Sequence, residues 1–275
     1  MGFVRPAGGW RYYFAGLKTN TSADRMAPNK YPYAKNVRYV KSLQTRPGYE
    51  KLFDCVGAAR LSFLVDGVET LAATVELEDP TFLGAGYVGL FSSFNQNVNL
   101  ATDIAQWDSL SISGTGGSGA YAFTDTFNRA NANSLGAGYT EDRIGGSTPG
   151  FHILSNTYQS WIDEDPDFEF CSAIPTTCPS DLESQSIALT FSVSHAVSGI
   201  SQTVEFIARM TSTSLAGSQF YYCQVQAGTL SSFIEIFHVS CPDSDPNNAI
   251  YTSLGSVATG GIVPPSVVQF KVEPF

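Results

Sequence analysis

The stretch RLSFLVDGVETLAATVELE, residues 60–78, decides the fold class of this 275-residue chain. Apolar side chains recur at every second position from Leu61 to Val65, which is the period of a strand with one buried face. Asp66-Gly67 is the strongest two-residue signal for a tight turn, and a second strand follows to Val75. Residues 60–78 therefore predict a β-hairpin.

Further segments with strand-like alternation or a short apolar run are separated by clusters of turn residues. They are residues 86–92, 104–112, 150–161, 185–195, 203–210, 219–226, 232–239 and 266–273. Charged residues make up only 15% of the chain, below the roughly 25% of an average domain, and 43% hydrophobic residues allow a substantial core. The sequence predicts an all-β fold without helices, an antiparallel jelly-roll β-sandwich.

Charge is divided unevenly along the chain. Residues 1–60 hold eleven Lys and Arg against three Asp and Glu, a net charge of +8, whereas the remainder holds four against twenty-two, a net charge of −18. Such asymmetry indicates a basic arm that meets an acidic or polyanionic surface. Nucleic acid is one interpretation. We favour the acidic body of a neighbouring copy, because the bases are spaced singly rather than in a tract.

Residues 1–53 are predicted to be an extended arm, because helices would be interrupted at Pro6, Pro28, Pro32 and Pro47. Aromatic and basic side chains recur through the arm, a composition that protein interfaces favour. Base stacking on nucleic acid is the alternative. We expect the arm to bind other subunits through Trp10, Arg11, Tyr12, Tyr13, Phe14, Tyr31, Tyr33, Arg38 and Arg46.

Two parts of the chain resemble one family of sandwich domains. DTFNRANANSLGAGYT, residues 125–140, resembles the opening strand and loop of bacterial and phage jelly-roll domains of the laminin-G/concanavalin-like type. IAQWDSLSI, residues 104–112, resembles the closing strand of that family, and residues 60–78 and 86–92 resemble the last third of its domain. The resemblance therefore implies a jelly roll whose tail precedes its head.

This order divides the chain into the arm, the closing strands at 54–113, a flexible Gly/Ser linker at 114–120 and the main body at 121–275. A sandwich without its last strands would leave unpaired edges and an uncovered core. Residues 58–113 either fold back onto the body of the same chain or complete the sandwich of a neighbour by strand exchange. Two incomplete tandem domains are a third interpretation.

The arm resembles the N-terminal segment of phage and prophage tail-associated proteins. The resemblance is carried by FAGLKT at 14–19, KYPYAKNVR at 30–38 and QTRPG at 44–48. In many of those proteins a β-propeller follows, and here a jelly roll follows instead, which leaves the position in the virion open. The resemblance implies a virion structural protein, tail-associated, fibre-forming or capsid-decorating, whose partners are other copies and other virion proteins.

One acidic cluster is a candidate for catalysis, since jelly-roll glycosidases use paired carboxylates. It comprises Asp163, Glu164, Asp165, Asp167 and Glu169. A solvated loop is the favoured interpretation, and calcium binding or glycoside hydrolysis are the alternatives. The sequence contains no nucleophile-elbow or phosphate-binding motif. We therefore predict no catalytic residue and no enzyme.

A lectin-like module or adhesin that binds a host-surface glycan is the alternative function. Candidate contacts for sugar are the rings of Trp161 and Tyr158 and the polar loop residues Asn95 and Asn97, with Trp107 and Tyr139 as further rings. For each ring, core or interface packing is the favoured interpretation. The lectin-like resemblance also implies a structural calcium ion near Asp108 and Asp125, where turn capping is the alternative. No other cofactor is expected.

The five cysteines, Cys55, Cys171, Cys178, Cys223 and Cys241, are expected to be reduced, buried thiols. A Cys171–Cys178 disulfide is the alternative for a protein that ends up outside cells. The start MGFVRPAGGW has no apolar core of a signal peptide, and no stretch approaches the roughly 18 apolar residues of a membrane span. We expect synthesis in a host cytoplasm, residence in a virion, and neither membrane nor nucleic-acid partners.

Overall fold

The computed structural model describes residues 2–4, 11–13, 58–77, 79–94, 107–145, 151–154, 156–160, 169–191, 202–227, 231–263 and 265–274. These residues form strands and one 3₁₀ turn at Pro246–Asn248, so the all-β prediction is confirmed. The strands are β1 Gly2–Val4, β2 Arg11–Tyr13, β3 Ala59–Val65, β4 Val68–Val75, β5 Tyr87–Phe94, β6 Ser109–Gly116, β7 Gly119–Asp125, β8 Tyr139–Ile144, β9 Phe151–Leu154, β10 Thr157–Ser160, β11 Glu169–Pro175, β12 Leu182–Phe191, β13 Gln202–Met210, β14 Gln219–Ala227, β15 Ser231–Ser240, β16 Ile250–Gly260 and β17 Ser266–Pro274.

Two stacked antiparallel sheets form a β-sandwich that is compatible with a jelly roll. One sheet has seven strands in the order β16-β15-β14-β13-β5-β11-β8, and the other has six in the order β4-β3-β17-β12-β6-β7. The short pairs β9–β10 and β1–β2 are separate, and β1–β2 belongs to a different compact unit from the sandwich. No helix in the described part of the chain is long and apolar enough to cross a membrane.

The closing strands pair with the body of the same chain. In the six-stranded sheet Phe63 of β3 lies opposite Phe270 of β17, and β6 pairs with β12. In the seven-stranded sheet β5 lies between β13 and β11. Large apolar side chains fill the space between the sheets, including Phe63, Leu90, Ile112, Ile187, Phe206, Ile236 and Phe270. The strands β3 to β6 therefore complete the sandwich of their own chain.

The linker prediction for residues 114–120 was wrong, because this segment is a hairpin of β6 and β7 with its turn at 117–118. The glycines serve close packing rather than flexibility. A Cβ atom at Gly116 would come within 2.0 Å of the Asp181 carbonyl oxygen, and one at Gly114 within 2.5 Å of that of Ser184. The Ser118 hydroxyl also donates a hydrogen bond of 2.7 Å to the carboxylate of Asp181, the residue before β12, and this bond holds the turn in place.

Other strand predictions need smaller corrections. The single strand predicted at 150–161 is two strands, β9 and β10, which are joined near Asn156 in a left-handed conformation with φ of 63°. Asn tolerates this conformation better than most residues, and it reverses the chain there. Four strands of the sandwich were not predicted, namely β7, β8, β11 and β16, and neither were the short strands β1 and β2.

Candidate binding face of the seven-stranded sheet

The seven-stranded sheet has one face against the six-stranded sheet and one outer face. Along β15 the even-numbered side chains from Ser232 to His238 are buried, whereas Phe233, Glu235 and Phe237 are more exposed. Gly255 lies opposite Ile236, and a Cβ atom at Gly255 would be 3.5 Å from Leu71 of the other sheet. Because successive side chains alternate between faces, the odd-numbered residues of β15 lie on the outer face.

A polar row crosses the outer face. Glu205 of β13 lies opposite Gln224 of β14, and Gln224 lies opposite Glu235 of β15. Residues directly opposite each other in antiparallel strands project to the same side of the sheet. Two carboxyl groups and one amide therefore lie in line across three strands, next to Phe91 of β5, which is the other partner of Glu205.

The outer face is concave. Tyr251 of β16 and Phe170 of β11 have ring centroids only 6.2 Å apart, although four strands separate β16 from β11. In a flat sheet the two strands would be about 24 Å apart, since neighbouring strands are spaced by about 4.8 Å. The sheet must therefore curl toward its outer face and bring side chains from distant strands together.

Aromatic rings surround the middle of this concave face. The Phe91 ring lies 5.3 Å from Phe170 and 5.3 Å from Tyr222, between centroids. Tyr222 stacks on Phe237 at 5.7 Å, and Tyr251 meets Phe237 edge-on at 5.7 Å. Tilted and edge-to-face pairs of this kind contribute roughly 0.5–1.5 kcal/mol each beyond the area that they bury.

The carboxyl group of Glu205 is enclosed by this cluster and is only 4% exposed. Four donors reach it. The Ser93 amide donates to Oε2 at 2.6 Å and the Ser93 hydroxyl to Oε1 at 2.5 Å, while Tyr222 and, at 3.4 Å, Gln224 donate to Oε1. Glu205 thus joins β5, β13 and β14 through its side chain.

Burial raises the pKa of Glu205 to about 7, although the hydrogen bonds from Ser93, Tyr222 and Gln224 act in the opposite direction. All four donors are uncharged, so they offset only part of the cost of removing a carboxylate from water. The buried phenol of Tyr222 has its pKa raised by desolvation and by the neighbouring Glu205 carboxylate. The centre of the face therefore carries a carboxyl group that changes charge near neutral pH.

The accessible part of the face lies over β14, β15 and β16. Tyr251 is 39% exposed and Phe233 is 38% exposed. Between them Glu235 accepts a hydrogen bond of 3.2 Å from the Ser253 hydroxyl, and Gln224 is partly exposed. Exposed rings together with amide, hydroxyl and carboxylate groups in a concavity can stack on and hydrogen-bond a polar ligand.

Tyr158, a candidate glycan contact in the sequence analysis, lies in the core. Its side chain is 1% exposed, and the Trp107 side chain is fully buried. The backbones of Tyr158 and Trp107 exchange hydrogen bonds of 2.9 and 3.0 Å, and the Tyr158 ring packs 5.5 Å from Phe127. Core packing, the favoured interpretation for both rings, explains them. Tyr139 is likewise buried.

Several predicted site residues lie outside the described residues. They are Asn95, Asn97 and Trp161, the acidic residues Asp163, Glu164, Asp165 and Asp167, and the arm residues Trp10, Phe14, Tyr31, Tyr33, Arg38 and Arg46. Of the acidic cluster, Glu169 is described and is buried at the start of β11. Arg11, Tyr12 and Tyr13 form the strand β2, which pairs with β1.

Asp125, a predicted calcium ligand, is held by protein groups. Arg129 donates to its two oxygens at 2.7 and 2.8 Å, the Phe127 amide donates at 2.7 Å and the Tyr139 hydroxyl at 2.9 Å. Oδ2 of Asp108 is buried and accepts no hydrogen bond from the described residues. These residues also contain no cluster of three or more His, Cys, Asp or Glu side chains suited to a metal. The ion pair explains Asp125, and the calcium site stays a prediction.

The four described cysteines are buried free thiols, and Cys55 lies outside the described residues. Cys171 and Cys178 do not form the disulfide that was the alternative. Burial raises the pKa of Cys171 to about 12 and that of Cys178 to about 11. Thiols with such pKa values are poor nucleophiles at neutral pH.

The residues of the outer face were not singled out from sequence. A usable signal was present within residues 222–226 and 233–237, where aromatic and polar side chains fall in one phase of the alternation and smaller apolar ones in the other. No protein-family model, curated protein or solved structure matches this chain. The laminin-G/concanavalin-like and phage-tail resemblances therefore remain proposals, whereas the antiparallel sandwich is a property of the structure.

Proposed function

We propose that this protein is a non-enzymatic structural protein of a phage or phage-like virion that assembles through its N-terminal arm. The arm sequence supports this proposal through its resemblance to tail-associated proteins. The sandwich completes its own sheets, so it can act as a self-contained body that the arm attaches to neighbours. The partners are other copies and other virion proteins.

The charge of the sandwich carries the proposal. Residues 61–275 have a net charge of −18 and contain four basic side chains, of which Arg129 is paired with Asp125 and Arg209 is buried. The guanidinium nitrogens Nη1 and Nη2 of Arg209 donate to backbone carbonyls, those of Leu83 and Glu183. The acidic body thus has few basic side chains to balance its charge, and a basic arm is a complementary partner.

Sedimentation velocity of the full-length chain tests the proposal. We expect concentration-dependent oligomers that dissociate as salt is raised, because exposed charges are screened. Deleting residues 1–53, or changing Arg38, Arg46 and Lys41 to Glu, should leave a folded monomer. Lys271→Glu, one charge reversal in the sandwich, is the matched control and should still assemble. Assembly that survives loss of the arm would contradict the proposal.

Glycan binding by the concave outer face is a second candidate function. It is favoured by the exposed rings of Tyr251 and Phe233 beside Gln224 and Glu235. A glycan array followed by calorimetry should show saturable binding to at least one polysaccharide. Tyr251→Ala together with Phe233→Ala should weaken it at least tenfold, while Val68→Ala, an exposed residue of the other sheet, should not. Absence of saturable binding would exclude this function for the glycans tested.

A further inference from the structure

The strand β16 is an unusually open edge of the sandwich. It is the longest strand, with 11 residues, and its sequence IYTSLGSVATG contains neither a charged residue nor proline. It ends the seven-stranded sheet, so its outer side has no partner strand among the described residues. Ile250 is 61% exposed at its beginning. Long, uncharged edges of this kind are templates for an added strand.

The other three sheet edges carry charge. At the opposite end of the same sheet, β8 contains Glu141, Asp142 and Arg143. In the six-stranded sheet β4 contains Glu69, which pairs with Arg60, and β7 ends at Asp125, which pairs with Arg129. Charged side chains on an edge discourage pairing with another chain. Among these four edges β16 is therefore the longest and the one without a charged residue. Its pairing with β15 has one irregularity, opposite Ile236 and Phe237.

The surroundings of β16 are acidic. Between residues 210 and 270 the chain contains no Lys or Arg but has Glu235, Asp243 and Asp245. Asp243 and Asp245 are exposed just before β16, and Glu235 lies opposite Ser256. A basic segment is the complementary partner for such an edge, whereas a second acidic sandwich docked on it by its own β16 would bring like charges together.

We propose that β16 accepts the N-terminal arm, residues 1–53, of a neighbouring copy as an added strand. This inference rests on the proposed function and names the surface that the arm binds. The arm contains ten Lys and Arg and two Asp and Glu, a net charge of +8. Main-chain hydrogen bonds to β16 supply affinity that does not depend on sequence. The acidic side chains of Asp243, Asp245 and Glu235 favour the basic arm over other segments as the added strand.

Paired substitutions on β16 in the full-length chain test this. Thr252 and Ala258 are both exposed on the strand. Thr252→Lys with Ala258→Lys should weaken self-association about fivefold to tenfold in sedimentation velocity, because like charges opposed on adjacent strands are destabilising. Thr252→Glu with Ala258→Glu is the matched control, which should associate as tightly as the unchanged chain or more tightly. Circular dichroism should show the same strand content in both variants.

Each other outcome overturns the inference. Equal weakening by the Lys and Glu pairs would indicate β16 pairing with a second β16, and no effect of either would place the arm elsewhere. In both cases the proposed function survives if the arm substitutions at Arg38, Lys41 and Arg46 still abolish assembly. If the unchanged chain does not associate, binding of a synthetic peptide of residues 30–53 to the full-length chain is the separate test. Binding that only the Lys pair weakens supports the β16 site. Absence of binding overturns the inference.

Discussion

Two carboxyl groups of this sandwich are enclosed and well hydrogen-bonded, yet their pKa values move in opposite directions. At Asp125 burial alone would raise the pKa, but hydrogen bonds from Arg129, Phe127 and Tyr139 and the charge of Arg129 lower it. At Glu205 burial dominates, and the pKa rises to about 7. The number of donors is similar, but Glu205 is more deeply buried, and only Asp125 has a charged donor, the guanidinium group of Arg129.

The comparison separates a structural ion pair at Asp125 from a carboxyl group, Glu205, whose charge changes near neutral pH. Asp125 stays ionised above acidic pH and holds the loop that carries Arg129. Nη2 of Arg129 also donates to the Leu135 carbonyl at 2.8 Å. Glu205 has only neutral donors and gains or loses a proton near neutral pH. Buried carboxyl groups with a perturbed pKa are common at functional sites, and structural networks also produce them. Glu205 on the outer face is therefore the first residue to mutate.

The largest expected effect is on the pH dependence of stability. A pKa raised from 4.5 to about 7 on folding contributes stability that is complete below 4.5 and is lost as pH rises through 7. The loss is about 3 kcal/mol, since one pKa unit corresponds to about 1.4 kcal/mol. Glu205→Gln should match the unchanged chain at pH 4.5 and unfold at higher urea concentration at pH 8.

Urea unfolding of Glu205→Gln across this pH range checks the prediction. Glu235→Gln removes one carboxylate from the same face and controls for the change in net charge. A stability difference between Glu205→Gln and the unchanged chain that does not grow with pH would show that Glu205 is ionised at neutral pH in the folded state.

A smaller effect is expected at the ion pair. Arg129→Met removes the guanidinium group from Asp125, whose side chain is 11% exposed, and should lower the free energy of unfolding by about 2 kcal/mol at pH 7. It should also raise the pKa of Asp125, which carbon-13 NMR of the carboxyl group can follow. Arg60→Met breaks the exposed pair with Glu69 and should leave stability unchanged. Equal effects at both pairs would contradict the comparison.

The smallest effect on stability is expected from removing one hydrogen-bond donor to Glu205, the hydroxyl of Tyr222. Tyr222→Phe keeps the ring in the aromatic cluster but removes the hydrogen bond to Glu205 Oε1. The pKa of Glu205 should rise further, because that bond favours the ionised form, and stability at pH 8 should fall by about 1 kcal/mol. NMR titration of the Glu205 carboxyl measures the shift. A lowered pKa would show that Tyr222 acts on Glu205 mainly by excluding water.

Local patterns predicted much of the fold from sequence. The hairpin around Asp66-Gly67 and the long strands β13, β14, β15 and β17 follow from alternation and turn chemistry. The glycines of the β6–β7 hairpin misled the prediction, because their role depends on contact with residues about 65 positions away at Asp181 and Ser184. Composition alone does not distinguish a flexible glycine from a closely packed one.

The alignment of the candidate-site residues across strands could not be predicted from the sequence, for a related reason. Glu205, Gln224 and Glu235 form a row only through the registers of β13, β14 and β15, which depend on turn geometry and core packing. The approach of Tyr251 to Phe170 depends on the curl of the whole sheet. The burial of Tyr158 could not be decided from sequence either, because an aromatic residue in a predicted strand gives the same pattern whether its ring faces a ligand or the core.

The central claim is that this chain is a component of a virion, and its presence in purified particles tests that claim most directly. Virus particles produced from the genome that encodes this chain would be purified on a density gradient, analysed by mass spectrometry and imaged by electron microscopy. The account predicts the full-length chain in a fixed ratio to the other particle proteins, with sandwich density repeated at a symmetric position. Particles that lack the chain, while it accumulates in the soluble fraction, would contradict the account.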